Sequence, residues 1–180
     1  SSAASDVYKR QVENLALAYN TNFVREIGRD TCEYAGGEEF MVEDDLVENF
    51  IRQKNEVRRA ARHSNRLLFV DTDALTTGFY CDLLMDDDEQ KRRLTDMAGA
   101  INATNKWDLV LFLDPDGTDF IQDGTRNEDI MRERRRYSDL LKAWFDRHGV
   151  SCETISGDYL DRFNTAKKLI EERLAITTVF

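Results

Sequence analysis

The sequence predicts an α/β domain in which helices flank a parallel sheet. Two short runs carry this prediction: residues 67–70 are continuously apolar and stop at Asp71, and residues 107–113 are mostly apolar and stop at Asp114. Continuous apolar runs of this length are typical of parallel strands that are covered on both faces. The intervening segments carry apolar residues at helical spacing, and strands that alternate with crossover helices indicate a parallel sheet.

Weaker strand patterns at residues 22–26 and 150–155 flank the two apolar runs. Apolar side chains recur every three or four positions in residues 46–61, 137–145 and 159–174, which predicts three amphipathic helices. The predicted order is helix, strand, helix, strand, helix, helix, strand, loop, helix, strand, helix. The strands thus lie between helices along the whole chain.

Two further helices are predicted between the apolar runs. One begins near Leu75, and the other opens with acidic residues 86–89 followed by basic residues 91–93. Acids suit the N-terminal end of a helix because the helix dipole is positive there. Ligands of parallel α/β sheets bind at the carboxyl ends of the strands, so polar residues that follow the strands are the first candidates for a site.

Composition excludes several classes of protein. The 180 residues fit one domain and carry 25 basic and 35 acidic side chains, a net charge of −10. A sequence pI near 4.8 argues against a general nucleic-acid binder. No apolar run approaches the length of a membrane span, and residues 1–11 contain no secretory apolar region. Three cysteines without CxxC spacing favour a reducing compartment, so we expect a cytoplasmic protein.

Carboxylates follow the first apolar run. Asp71 and Asp73 stand where the chain leaves the predicted strand, and an aspartate at such a position can hold Mg²⁺ in P-loop enzymes. The alternative is that either aspartate caps the helix that begins near Leu75. Thr76 and Thr77 could likewise be caps or could donate their hydroxyls to a ligand.

Two other groups of charged residues are candidates. Glu26 and Arg29 lie at the end of the first strand; a carboxylate there can accept a proton from a substrate hydroxyl, and the alternative is a surface ion pair. Arginines cluster at positions 126, 132 and 134–136, and guanidinium groups suit bidentate phosphate contacts. The alternative for this cluster is a solvated helix face paired with neighbouring acids, which we favour for Arg135 and Arg136.

Several segments together resemble the ribosylnicotinamide kinase domain of NadR-type proteins, from about Val12 to the last helix. The matching stretches are residues 20–21, 25–30, 62–64, 69–73, 76–77, 123–126 and 159–163. The resemblance implies a P-loop kinase fold that uses Mg²⁺ and ATP to phosphorylate the 5′-hydroxyl of nicotinamide riboside, giving nicotinamide mononucleotide in NAD biosynthesis or salvage. It also implies an upstream nicotinamide mononucleotide adenylyltransferase domain in a full-length protein.

The resemblance implies a role for each matching residue. Asp71 and Asp73 resemble the aspartates of the Mg²⁺ and substrate site, with Asp71 as metal ligand, and Glu26 resembles the base. Other implied contacts are Arg29, Thr76 and Thr77 to the riboside, lid arginines Arg126 and Arg134 to the phosphates, and Ser156, Asp158 and Tyr159 to adenine. Phosphoryl transfer depends mainly on positioning and charge neutralisation, which such groups supply.

The sequence departs from the family in two places. The GxxxxGK[ST] loop should stand just before Val12, but residues 1–11 contain no glycine, and Ile27 stands where the family usually has Tyr. We therefore expect residues 1–11 to be a non-native or disordered segment, and residues 12–180 to be a kinase-like domain whose first strand and P-loop are missing. The alternatives are another P-loop nucleoside or nucleotide kinase and a catalytically inactive pyridine-nucleotide-binding regulatory module. Small molecules are the expected partners, with no membrane and no nucleic acid.

Overall fold

A computed structural model describes residues 11–37, 40–115 and 133–179 of the chain. These residues form two compact units. The first unit comprises described residues 11–23, 64–69, 107–115 and 133–179, and the second comprises 24–37, 40–63 and 70–106.

Helices and strands alternate within these ranges, and the fold is the predicted mixture of parallel strands and flanking helices. In chain order the elements are α1 (Gln11–Ala18), β1 (Asn22–Val24), α2 (Gly28–Ala35), α3 (Glu43–Ala61), β2 (Leu68–Val70), α4 (Ala74–Leu84), α5 (Asp88–Thr104), β3 (Leu111–Leu113), α6 (Arg134–Arg147), β4 (Glu153–Ile155) and α7 (Tyr159–Leu174).

The four described strands pair as two two-stranded sheets, β1 with β2 and β3 with β4. The β3–β4 pair is parallel, with Leu111 opposite Glu153. In the β1–β2 pair the amino ends of the two strands lie side by side. The hydroxyl of Thr21, which precedes β1, donates to the main-chain oxygen of Leu67, which precedes β2. Each predicted strand is present, but only three residues of each predicted run pair, and the predicted single sheet is divided into two pairs within the described residues.

Each unit has its own buried core. The first core consists of Leu15, Tyr19, Ile155, Ala166 and Ile170, and Phe69 and Leu111 pack against it from the strands. The second core consists of Phe50, Ala74, Cys81, Leu94 and Ala98, which belong to α3, α4 and α5. None of the helices within the described ranges is long and apolar enough to cross a membrane.

Helix α2 is absent from the sequence prediction, which placed a single helix, in residues 46–61, between the first two strands. The helix lacks the apolar stripe by which a sequence indicates a helix: Thr31 is its buried residue and Tyr34 is 91% exposed. Gly28 lets the start of the helix lie close to α3, since a Cβ there would lie 3.3 Å from the Nδ2 atom of Asn49 and would push that side chain aside by a few tenths of an ångström. The helix ends at Gly36, whose φ of 92° is left-handed and suits glycine.

Candidate functional site

The carboxyl ends of β1 and β2 meet in the second unit. The main-chain N–H of Asp71 donates to the oxygen of Val24 at 2.8 Å, so the segments that follow the two strands begin side by side. Glu26 and Asp71 therefore leave the same edge of this sheet, as their positions after the two predicted strands led us to expect. The Arg29 guanidinium lies 4.0 Å from the Glu26 carboxylate, so the ion pair that the sequence left as an alternative is present.

Thr72 gives the segment after β2 an unusual backbone. Its φ of 60° is left-handed, a conformation that a β-branched residue rarely adopts. The side chain of Gln53 on α3 donates from Nε2 to the Thr72 oxygen at 3.1 Å. Gln53 is buried, and sequence analysis did not select it because an amide on an apolar helix face carries no motif.

Asp73 caps helix α4. Its Oδ1 atom accepts from the main-chain N–H groups of Leu75 at 3.0 Å and Thr76 at 3.1 Å. The Thr76 hydroxyl lies 3.5 Å from the same oxygen, and the Thr77 hydroxyl lies 3.5 Å from the Asp73 main-chain oxygen. The capping alternative therefore holds for Asp73, and caps of this kind contribute about 1 kcal/mol to stability.

Asp71 is the candidate metal ligand at this strand-end edge. No group of three or more His, Cys, Asp or Glu side chains with metal-binding geometry occurs in residues 11–37, 40–115 and 133–179. Mg²⁺ in phosphoryl-transfer sites keeps several waters and takes one or two carboxylates together with substrate phosphates. Asp71, at the strand end, is a donor of the required kind.

In the first unit, buried Arg162 organises the ends of β3 and β4. Its Nη2 atom donates to the main-chain oxygen of Asp114 at 2.5 Å, and its Nε atom donates to that of Gly157 at 2.8 Å. Sequence analysis missed this role although Arg162 lies in a matching stretch. The available signal was its spacing of four from Ala166 and eight from Ile170, which places a cation on a buried helix face.

The segment proposed to lie beside adenine is a rigid turn between β4 and α7. A Cβ on Gly157, whose φ is 95°, would lie 2.8 Å from two side-chain atoms of Asp161, so only glycine fits. The Asp158 carboxylate caps α7 by accepting from the Asp161 N–H at 2.9 Å. The Tyr159 hydroxyl accepts from the Asn14 side chain, and Ser156 is exposed.

The described arginines of the predicted cluster lie along an open surface depression of about 730 Å³, lined by Glu133, Arg134, Arg135, Arg136, Asp139 and Leu140. Arg135 makes two bonds to the Asp114 carboxylate, at 2.8 and 3.0 Å, and Arg136 pairs with Glu133. The helix-face interpretation therefore holds for Arg136, while Arg135 pairs both with Asp139 of its own helix at 3.5 Å and with Asp114 after β3. Arg134 lines the depression. Arg126 lies outside the described residues.

Comparisons with known proteins agree with this fold. The chain is 25% identical over 166 residues to the "Trifunctional NAD biosynthesis/regulator protein NadR" of Escherichia coli (strain K12) and, equally, of Salmonella typhimurium (strain LT2). These matches cover 91% of this chain but 39% of each relative, so the chain spans well under half the length of those proteins.

Two solved structures share the fold. A crystal structure of NadR protein in complex with NR superposes with a TM-score of 0.82 and 24% identity, covering 99% of this chain and 51% of that one. A NadR structure in complex with NAD and AMP-PNP gives 0.78 and 21%, covering 98% and 48%. The resemblance to NadR is thus confirmed. Because a family model described as "AAA domain" matches residues 11–162, most of its length, the chain belongs to this P-loop family.

Proposed function

We propose that this domain transfers the γ-phosphoryl group of ATP to the 5′-hydroxyl of nicotinamide riboside. The observation that carries the proposal is the hydrogen bond from Asp71 to Val24, which brings Glu26 and Asp71 to one strand-end edge. The fold around that edge is shared, over 99% of the chain, with a NadR protein in complex with NR.

Glu26 is the proposed base. In the reaction the riboside oxygen forms a bond to the γ-phosphorus, the bond from that phosphorus to the β–γ bridging oxygen breaks, and ADP leaves. The hydroxyl proton passes to the Glu26 carboxylate, whose side chain is 42% exposed and reachable by a ligand. Arg29, 4.0 Å away, orients that carboxylate and contacts the riboside.

Asp71 would hold Mg²⁺, which on binding supplies positive charge to the transferring phosphates. Asp73 fixes the segment that carries Asp71 by capping α4, and the first turn of α4 presents Thr76 and Thr77 to the riboside. In this proposal Arg126 and Arg134 neutralise the phosphates. Because the Asp158 carboxylate is already used as a cap, Ser156, Tyr159 and the main chain of the turn supply most of the adenine contacts.

The remaining parts of the proposal concern the longer protein. The relatives are described as trifunctional, and the chain spans 39% of their length. We propose that this domain is joined to an adenylyltransferase domain, which would consume the nicotinamide mononucleotide that the kinase makes. A cytoplasmic location remains a prediction from the sequence.

Calorimetry tests the substrate. We expect the chain to bind nicotinamide riboside at least about tenfold more tightly than uridine. A site whose polar groups hydrogen-bond one ring disfavours another ring that leaves those groups without hydrogen-bond partners. Equal binding of the two nucleosides would contradict the assignment of nicotinamide riboside as the substrate and would favour another nucleoside kinase. Riboside binding without any binding of Mg-ATP would favour the inactive pyridine-nucleotide-binding module.

The roles of the acids are tested by substitution. Asp71→Asn should weaken Mg-ATP binding, whereas Asp86→Asn, an exposed aspartate of the same unit, should not. Phosphorylation itself is measured on a longer version that carries a GxxxxGK[ST] segment upstream of Val12. Such a protein should convert nicotinamide riboside to its 5′-phosphate, and Glu26→Gln should lower kcat by about a hundredfold, the usual contribution of a general base.

A further inference from the structure

The chain is strained at Thr72, between Asp71 and Asp73. Its φ of 60° places a β-branched side chain in the left-handed region, where Cβ crowds the main chain. Strained backbone of this kind persists only when the surrounding structure holds it, and it is often found at functional sites. The contacts that hold Thr72 therefore identify what fixes the direction of Asp71.

Asp71, Thr72 and Asp73 are each held by a different element. The N–H of Asp71 is bonded to Val24 at the end of β1, and the Asp73 carboxylate is bonded to the first turn of α4. The residue between them is held by a side chain from a distant part of the chain: Gln53 of α3 donates to the Thr72 oxygen at 3.1 Å.

Gln53 occupies a position where an apolar side chain would be expected. It is 7% exposed and lies one turn from Phe50, which is fully buried in the second core. A buried amide is costly unless it is hydrogen-bonded, so its bond to Thr72 explains why it is tolerated there. The same bond locks the left-handed peptide.

We propose that Gln53 is a positioning residue that holds Thr72 in its left-handed conformation and thereby aims the Asp71 carboxylate at the metal–nucleotide pair. This inference rests on the proposed function. It gives α3, which contributes no group to the proposed reaction, a defined part in building the site.

The test compares Gln53→Leu with Lys54→Met. Lys54 also extends from α3 to another element, bonding Thr104 at 2.8 Å and Asn105 at 2.5 Å on α5 and its end, so its loss is a matched structural change away from Thr72. ATP affinity is measured with Mg²⁺ and with EDTA. In Gln53→Leu we expect the Mg²⁺-dependent gain in ATP affinity to fall about tenfold, which corresponds to the loss of one charge-assisted contact. In Lys54→Met the same gain should change less than twofold.

Rescue provides the second arm. Thr72→Gly adopts a left-handed φ without steric cost, so the Gln53→Leu/Thr72→Gly double variant should regain most of the lost Mg²⁺ dependence. Equal losses in Gln53→Leu and Lys54→Met, or purely additive effects in the double variant, would overturn the proposal.

A crystal structure of Gln53→Leu separates this inference from the proposed function. We expect φ of Thr72 to leave the left-handed region and the Asp71 carboxylate to turn; an unchanged backbone would overturn the role of Gln53 even if the kinase assignment stands. Failure of the wild-type chain to gain ATP affinity from Mg²⁺ would instead count against the proposed function, and the backbone at Thr72 would still decide whether Gln53 holds it.

Discussion

Arg162 joins the ends of two paired strands by donating to the main-chain oxygens of Asp114, 48 residues away in sequence, and Gly157. Its side chain is 7% exposed and both bonds are half-buried, so the substitution removes two bonds from a charged donor that water reaches only in part. We expect Arg162→Met to lower the free energy of unfolding by about 2–4 kcal/mol, since each bond to a charged donor contributes about 1.5–3 kcal/mol and losses are not additive. Urea unfolding at pH 7 measures this.

Arg173 supplies the control for that experiment. It lies on the same helix and pairs with Glu153, but its side chain is 60% exposed. Arg173→Met should cost less than about 1 kcal/mol, as exposed ion pairs do. Similar losses in the two variants would show that the buried bonds of Arg162 contribute no more than a surface pair.

Two buried amides on α3 should respond oppositely to the same substitution. The Oδ1 atom of Asn49 is buried without a hydrogen-bond partner among the described residues, whereas Gln53 donates to Thr72. Asn49→Leu should raise the free energy of unfolding by about 1 kcal/mol, and Gln53→Leu should lower it by about 0.5–1.5 kcal/mol by removing the donor to the half-buried Thr72 oxygen. Urea unfolding of both variants checks the signs. Destabilisation by Asn49→Leu would mean that the Asn49 amide contributes more to packing than it costs in desolvation.

The fold was predictable where burial follows sequence periodicity. Helix α7 spans 159–174, as its apolar spacing predicts, and β2 coincides with an apolar run that ends at an aspartate. Helix α2 was not predictable in this way, because Tyr34 is exposed and the helix contacts the rest of its unit through few apolar side chains. Its start packs closely on Asn49, a residue 21 positions away from Gly28, and such a contact leaves no spacing signal in the sequence.

The candidate site was predictable only in part for a related reason. Position after a strand identifies Glu26 and Asp71, because parallel strands bring their carboxyl ends to one edge. A position after a strand does not distinguish a residue that caps a helix from one that binds a metal or substrate, and Asp73 caps α4. Gln53 and Arg162 act through main-chain oxygens, which every residue has, so no spacing of side chains in the sequence points to their partners.

Cys81 should be the least reactive of the three thiols. Burial raises the pKa of Cys81 to about 12, so almost none of it is thiolate at pH 8, and the thiolate is the nucleophile. Cys32 and Cys152 are only half-buried. Iodoacetamide at pH 8 should label these two in the folded protein and all three in urea, which mass spectrometry of the peptides can count. Labelling of Cys81 at a rate like that of Cys32 would show that α4 opens readily.

The ion pair between Glu43 and Arg93 should make stability depend on pH in the acid range. Arg93 donates to both carboxylate oxygens at 2.8 Å, and these hydrogen bonds lower the pKa of Glu43 below its usual 4.5 in the folded protein. The unfolded chain therefore binds the proton more readily, so the contribution of the pair is present above pH 4.5 and is lost as the pH falls through the lowered folded value.

Glu43→Gln isolates that contribution. The variant should be slightly less stable than the wild type at pH 7, because the pair is exposed and worth little, and the difference should close once Glu43 is protonated in both states. Arg93→Gln removes this pair and also the pair of Arg93 with Glu89 at 3.3 Å, so it should lose at least as much stability at pH 7 and show a pH dependence of the same sign. Urea unfolding at several pH values between 7 and 2.5 measures the three proteins. A difference that persists at the lowest pH would mean that the substitution acts through helix packing, since by then no charge remains on Glu43 to attract Arg93.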